Sequence, residues 1–303
     1  MAGRDLPVLD NLPDRARVAV IRLRSLGDCV LTTPAIEVLK QSRPDLRIAV
    51  VVEDRFAPIF EGNGSIEELL LPAIPALRNW RPQLCLNLHG GSRSAALTAA
   101  SGAQFRAGFK HFRFAQTYNV RIPRAQAILG VDRIVHTAEH LASAMFFLGV
   151  PQGKIPRARL HARKRPGGKP YAVIHPIASS PDKTWPADRF LAAAAQLEIE
   201  PVFIGGPGDD LSAFQSHRTL VGAPLAEIKD LLANATLFLG NDSGPAHMAA
   251  AFGLPVVVIF GASNVDVWRP WQTPSEALSS PDGIESISTG QVLESLARLR
   301  VRA

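Results

Sequence analysis

Four short runs hold residues whose types and spacing could do chemistry. In RLRSLGDCVLTTPA (22–35) a turn at Ser25, Leu26 and Gly27 delivers Asp28 to the start of a helical pattern. The helix macrodipole favours the ionised carboxylate there, and an ionised carboxylate facing a substrate can take a proton. The same position also suits an ordinary capping or first-turn aspartate. In HPIASSPDKTWP (175–186) Lys183 precedes a helix start and could meet a phosphate as a point charge, or could be a solvated loop lysine. Trp185 beside it is expected to pack rather than to stack on a ligand. FIGGPGDD (203–210) offers a glycine turn and two acids. Asp209 could accept hydrogen bonds from a ribose hydroxyl, or Asp209 and Asp210 could only offset the dipole of a helix expected near 208–217. The run NDSGPAH (241–247) is the most specific. A polar turn, Asp242–Ser243–Gly244, opens a small-residue helix whose exposed N–H groups and dipole suit a diphosphate. Pro245 fits the first turn, and His247 lies one turn in on the face nearest the anion. In the structural alternative Asp242 or Ser243 is a cap and His247 a partly buried helix residue.

The elements that must hold these runs alternate along the chain. RVAVIRL (17–23), LRIAVVV (46–52) and QLCLNL (83–88) read as buried strands, with helices through Ile36 and Leu39 and over 92–101. After a Pro-, Gly- and cation-rich stretch at 151–170 the alternation restarts. YAVIHP (171–176), PVFIG (201–205), TLFLG (236–240) and PVVVIFG (255–261) are the strands, and 187–197, 225–235, 244–252 and 291–299 the helices. Such alternation argues for an α/β chain with parallel sheets covered on both faces. It divides into a flexible leader (1–16), a Rossmann-like domain (17–150), a linker (151–170) and a second Rossmann-like domain (171–303), with a cleft expected between the two sheets. The last helix is left free to pack back on the first domain.

The 303 residues are 47% hydrophobic and 20% charged, enough for two packed cores, and no window is long and apolar enough to span a membrane. Two cysteines, Cys29 and Cys85, exclude a disulfide framework and a cysteine-built zinc site. Neither a G-x-G-x-x-G fingerprint nor a P-loop is present, which counts against nicotinamide and P-loop chemistry. These features read as a soluble cytosolic protein. The net charge of +6 is uneven, with +5 in residues 1–150. Between Glu68 and Asp132 there is no acid, but there are eight Lys and Arg, with His89 and His111. Such a block projects a positive field toward an anionic partner (nucleic acid, anionic lipid or phosphorylated sugar), unless acids from elsewhere neutralise it.

Together the four runs resemble the ADP-heptose:lipopolysaccharide heptosyltransferases, glycosyltransferase family 9. R-x-x-x-x-G-D-x-x-x-T-x-P (Arg22, Gly27, Asp28, Thr32, Pro34), D-K-x-W-P (Asp182, Lys183, Trp185, Pro186), G-G-P-G-D and N-D-S-G-P-x-H stand in family order. One departure is Asp209, where the family more often has a glutamate one methylene longer. The resemblance implies a GT-B type fold, two Rossmann-like domains whose parallel sheets face an interdomain cleft. It further implies inverting transfer of a heptose from an ADP-sugar without cofactor or obligatory metal. Asp28 would be the base. Lys183, Asp209, Asp242, Ser243, Gly244, Pro245 and His247 would hold the donor. The sequence independently lacks an Asp-x-Asp pair to hold a divalent ion on a diphosphate. The acceptor becomes an anionic lipopolysaccharide core sugar, Kdo or heptose, in place of nucleic acid. Arg93, Arg106, Lys110, His111 and Arg113 are the cations expected to meet it. Peripheral contact with anionic lipid at the cytoplasmic face of the inner membrane would follow. Two alternatives stay open: a sugar-nucleotide epimerase of the same architecture, and a non-catalytic relative that binds ligand or membrane.

Overall fold

Apolar, β-branched runs form the central strands of two parallel sheets in a computed structural model of the chain, which describes residues 7–163 and 167–302. The chain divides into two compact units between Pro156 and Arg157. Residues 1–6 of the expected leader, 164–166 of the expected linker and Ala303 lie outside the described residues.

The first unit contains β1 (Arg17–Ile21), α1 (Leu26–Ser42), β2 (Arg47–Val51), β3 (Glu68–Leu70), α2 (Ile74–Trp80) and β4 (Leu84–Asn87). It continues with α3 (Ser92–Ala100), β5 (Phe105–Phe109), β6 (Val120–Ile122), α4 (Ala125–Leu129) and α5 (Thr137–Leu148). Its strands lie parallel in the order β3-β2-β1-β4-β5-β6. β1 and β4 are buried almost throughout, as a sheet covered on both faces requires. The stretch expected as a flexible leader is, from Pro7 onward, part of this core. Leu9, Leu12 and Ala16 are buried, and the Arg43 guanidinium donates to the Leu9 carbonyl at 2.6 Å. Three apolar residues spaced among acids and prolines were too sparse to read as a packed segment.

The second unit contains β7 (Tyr171–His175), α6 (Ala187–Ala194), β8 (Glu200–Gly205), β9 (Arg218–Val221), α7 (Leu225–Ala233) and β10 (Leu237–Asn241). It ends with α8 (Gly244–Phe252), β11 (Val256–Ile259), α9 (Val265–Trp268), β12 (Ser275–Leu278) and α10 (Thr289–Arg302). The sheet order, β12-β11-β10-β7-β8-β9, repeats that of the first unit. Aromatic side chains fill its core: Trp185, Phe190, Phe203 and Phe214 are buried, and the Trp185 indole N–H donates to the Ile287 carbonyl at 2.8 Å. The last helix, which the sequence left free to return to the first unit, packs on α6, β11 and β12. No helix among the described residues is long and apolar enough to cross a membrane.

In each unit the chain begins in mid-sheet, builds outward to one edge, then restarts on the other side of its first strand. Crevices form beyond the carboxyl ends of strands where the order reverses, here β1/β4 and β7/β10.

Candidate active site

The second unit brings its expected residues to the β7/β10 reversal. Asp242 and Ser243 follow β10, and α8 begins at Gly244 with Pro245 in its first turn. Ser243 occupies the N-cap, but its hydroxyl makes no capping bond; it is hydrogen-bonded to His175 Nδ1 at 3.0 Å instead. The first-turn amides are thus left without a side-chain cap, the state in which a helix start takes an anion. Burial pushes the His175 imidazole down to about 4, against a small upward pull from Asp209, so it is neutral at physiological pH and places no competing charge there. His247 is buried and meets the Trp268 ring edge-to-face at 6.1 Å, so it supports the α8 start from within.

Lys183 sits in a short 3-10 turn, Pro181–Lys183, after β7. Burial raises the Asp242 carboxyl, while Ser263 and the Lys183 ammonium pull it down. The turn is pinned by Asn241, fully buried at the end of β10. The carboxamide accepts from Trp185 N at 3.0 Å and donates to the Pro176 carbonyl at 2.8 Å, on either side of Lys183. Gly261 after β11 admits the turn: a Cβ there would lie 2.0 Å from the Asp182 carbonyl oxygen and 2.8 Å from Lys183 Cα. Asp209 closes its own loop, accepting from Gly206 N at 2.7 Å, and Asp210 accepts from Ser212 N at 2.8 Å. These side-chain bonds replace the helix expected over 208–217, of which only a 3-10 turn at Ser212–Phe214 forms, before β9. Asp209 and Asp210 therefore offset no helix dipole.

In the first unit Asp28 lies in the first turn of α1, three-quarters covered. Ser25 Oγ donates to its Oδ2 at 3.0 Å, and Arg22 Nη1 stands 3.4 Å from its Oδ1. Ser25 is the N-cap of α1, Leu26 and Gly27 fill the turn, and a cis peptide joins Arg24 to Ser25. His89, beyond β4, reaches the Arg24 carbonyl through Nδ1 at 3.1 Å. Asn87, fully buried at the end of β4, shapes that loop by accepting from His89 N and Gly90 N, each at 3.0 Å.

The basic block does not form one face. Lys110, His111 and Arg113 follow the carboxyl end of β5, with Arg113 over the Phe114 ring at 5.5 Å. Arg93 opens α3 after β4, 3.6 Å from Glu53, so an acid from outside the block does reach it. Arg106 departs from expectation. It pairs with Cys85 near the amino end of β5, and its guanidinium donates to the Ala103 carbonyl at 3.2 Å. A count along the sequence cannot see that Arg106 and Lys110 lie at opposite ends of one strand. Sequence reasoning also passed over Arg22, Asn87, Asn241, His175 and Gly261 as site residues. Arg22, Asn241 and His175 stood within the motifs, but burial and partners gave them their roles. Among the described residues, no group of three or more His, Cys, Asp or Glu is placed to hold a metal ion.

Comparison with solved structures shows the same two-unit architecture across most of the chain. A glycosyltransferase family 9 structure from Veillonella parvula superposes with TM-score 0.84 at 23% identity, covering 96% of this chain and 98% of that one. The E. coli ADP-heptose lps heptosyltransferase II superposes with TM-score 0.78 at 19% identity, covering 94% and 99%. The fold is thus the α/β, two-domain GT-B type of glycosyltransferases. The sequence model of glycosyltransferase family 9 (heptosyltransferase) matches residues 74–291. The chain belongs to that family, and the protein is a glycosyltransferase. A curated relative, lipopolysaccharide heptosyltransferase 3 of Escherichia coli, is 29% identical over 295 residues, 82% of this chain and 84% of the relative.

Proposed function

We propose that the protein transfers a heptose from ADP-heptose to an anionic sugar of the lipopolysaccharide inner core, Kdo or heptose, with inversion and without an obligatory metal. The observation that carries this reading is the start of α8, whose first-turn amides have no side-chain cap and whose neighbours include Lys183. A diphosphate suits that site, and the names of the relatives supply the ADP-heptose and the lipopolysaccharide. The second unit binds the donor, with Lys183 and the Ser243–Gly244 amides on the diphosphate and Asp209 Oδ1 toward a ribose hydroxyl. The first unit binds the acceptor. The reaction is a single displacement: the acceptor hydroxyl attacks the anomeric carbon opposite the ADP, its proton passes to Asp28, and the carbon–oxygen bond to ADP breaks. Charge developing on ADP is met by Lys183 and the α8 dipole, the work a divalent ion would otherwise do. The absence of an Asp-x-Asp pair supports that division of labour. The protein works in the cytoplasm at the inner-membrane face, where a lipid-borne acceptor is presented.

Incubation with ADP-heptose and Kdo-lipid A, read by mass spectrometry against a panel of other sugar nucleotides, tests the assignment. A heptose adduct on the acceptor is expected; an epimerised donor with no adduct would instead identify an epimerase.

Two further results are expected. Gly261→Ala displaces the turn bearing Lys183, and a shift of about 1 Å in a positioning group can cost about 10²-fold in turnover. The measurement is kcat beside a thermal melt, and wild-type turnover in the variant would remove Gly261 from the site. Charge reversal of Lys110 and Arg113 to Glu raises the acceptor KM and leaves the donor constant unchanged. Exposed charges act mainly on association and are screened over about 8 Å at physiological salt, so the wild-type acceptor KM also rises with salt. Arg106→Glu, at the far end of β5, is the contrast: it moves the acceptor KM less than either loop reversal. Equal effects from the two ends of the strand would show that the block acts as a diffuse field.

A further inference from the structure

Arg22 carries a charge in a place where few groups compensate it. It follows β1 and is 5% exposed. One Nη donates to the Leu88 carbonyl at the end of β4, and the other faces Asp28 Oδ1 at 3.4 Å. Its Nε, also buried, has no hydrogen-bond partner among the described residues. An arginine serving only to brace two strand ends would have its donors filled by carbonyls. Here one carbonyl and one carboxylate do the work, so the buried cation is tolerable chiefly while Asp28 is negative. The other groups around the pair do not substitute. Burial pushes the Cys29 thiol up to about 12, and burial lowers the His89 imidazole and takes that of His140 on α5 down to about 4, so all three are neutral at physiological pH. Arg24 is exposed, and Glu53 after β2 is paired with Arg55 and Arg93.

We infer that Arg22 is a positioning residue for the reaction, one that fixes the Asp28 carboxylate in orientation while the acceptor hydroxyl approaches. The inference rests on the reading of Asp28 as the base. With Leu88 anchoring Arg22 and Ser25 Oγ on the second oxygen, Asp28 is held through both of its carboxylate oxygens.

The test is a double-mutant cycle on the full chain: wild type, Arg22→Lys, Asp28→Asn and the double variant, each checked for folding by a thermal melt. Arg22→Lys keeps the buried charge without the two-sided grip, and is expected to lose about tenfold in kcat at unchanged acceptor KM, as a loss of orientation does. In the Asp28→Asn background the same substitution is expected to cost little more, because the carboxylate that Arg22 orients is already gone. Wild-type kcat in Arg22→Lys, or an equal loss in both backgrounds, overturns the role of Arg22 and leaves the assignment of Asp28 standing. Wild-type turnover in Asp28→Asn overturns Asp28 as the base, and the positioning role with it. Should Arg22→Lys fail to fold, Arg22→Met goes through the same cycle with the same outcomes.

Discussion

Asp28→Ala is expected to lower kcat by about 10²–10⁴-fold with the donor constant nearly unchanged, the range that removal of a positioned general base commonly produces. The effect belongs to kcat because, on the proposed reading, Asp28 takes the acceptor proton only as the new bond forms and does not bind the donor. The substitution also strips Arg22 of its counter-charge, so some loss of stability accompanies the loss of rate. Asp28→Asn separates the two. It preserves the shape of the side chain and an oxygen for Ser25 Oγ, yet accepts a proton far more weakly than a carboxylate. Both variants should therefore be slow, and both should still bind ADP. Turnover within about threefold of wild type in either would remove Asp28 from the chemistry and leave it an ordinary first-turn aspartate.

The second large effect is that of Lys183→Ala, expected to cost about two to three decades in kcat. Charge-assisted contacts to a leaving group commonly supply roughly 2.7–4 kcal/mol, and each 1.36 kcal/mol is a factor of ten in rate. The surroundings of Lys183 make the loss hard to recover. Its turn is pinned by Asn241 on both flanks and abuts Gly261, so the backbone has little room to shift when the side chain is removed. The companion measurement is activity in a chelator, expected to persist. Complete loss restored by magnesium would show that an ion, not Lys183, meets the leaving diphosphate.

The sequence was most legible where one local rule acted alone. α8 runs over the residues expected of it, Gly244–Phe252, because a glycine start, Pro245 and the αL Gly253 mark both ends. Strands β1, β2, β4, β7, β8, β10 and β11 could be read from buried apolar runs. β3, β6, β9 and β12 could not. They are three or four residues long, lie toward sheet edges and carry polar or exposed positions, so their pairing comes from the neighbouring strand rather than from pattern. Residues 208–217 were misread because Asp209 and Asp210 look like first-turn acids until their bonds to backbone amides are seen. Asp28 and Lys183 were legible as candidates because both follow shortly after strand ends. Arg22 was not legible as a partner, since nothing in its spacing says that its guanidinium is buried or what it faces.

Asn87 and Asn241 occupy equivalent places in the two sheets, each closing the strand that restarts the order and each fully buried. Each ties down the loops of its own crevice with a carboxamide, which both accepts and donates. An aspartate could accept the same amide bonds, but could not donate to Pro176 O or to the Tyr118 hydroxyl, and would bury an uncompensated negative charge. The two carboxamides thus hold the frame of each crevice without adding charge to it. The sign and strength of the potential are set by other groups, so the charges beyond the strand ends can change without disturbing the loops that these asparagines hold.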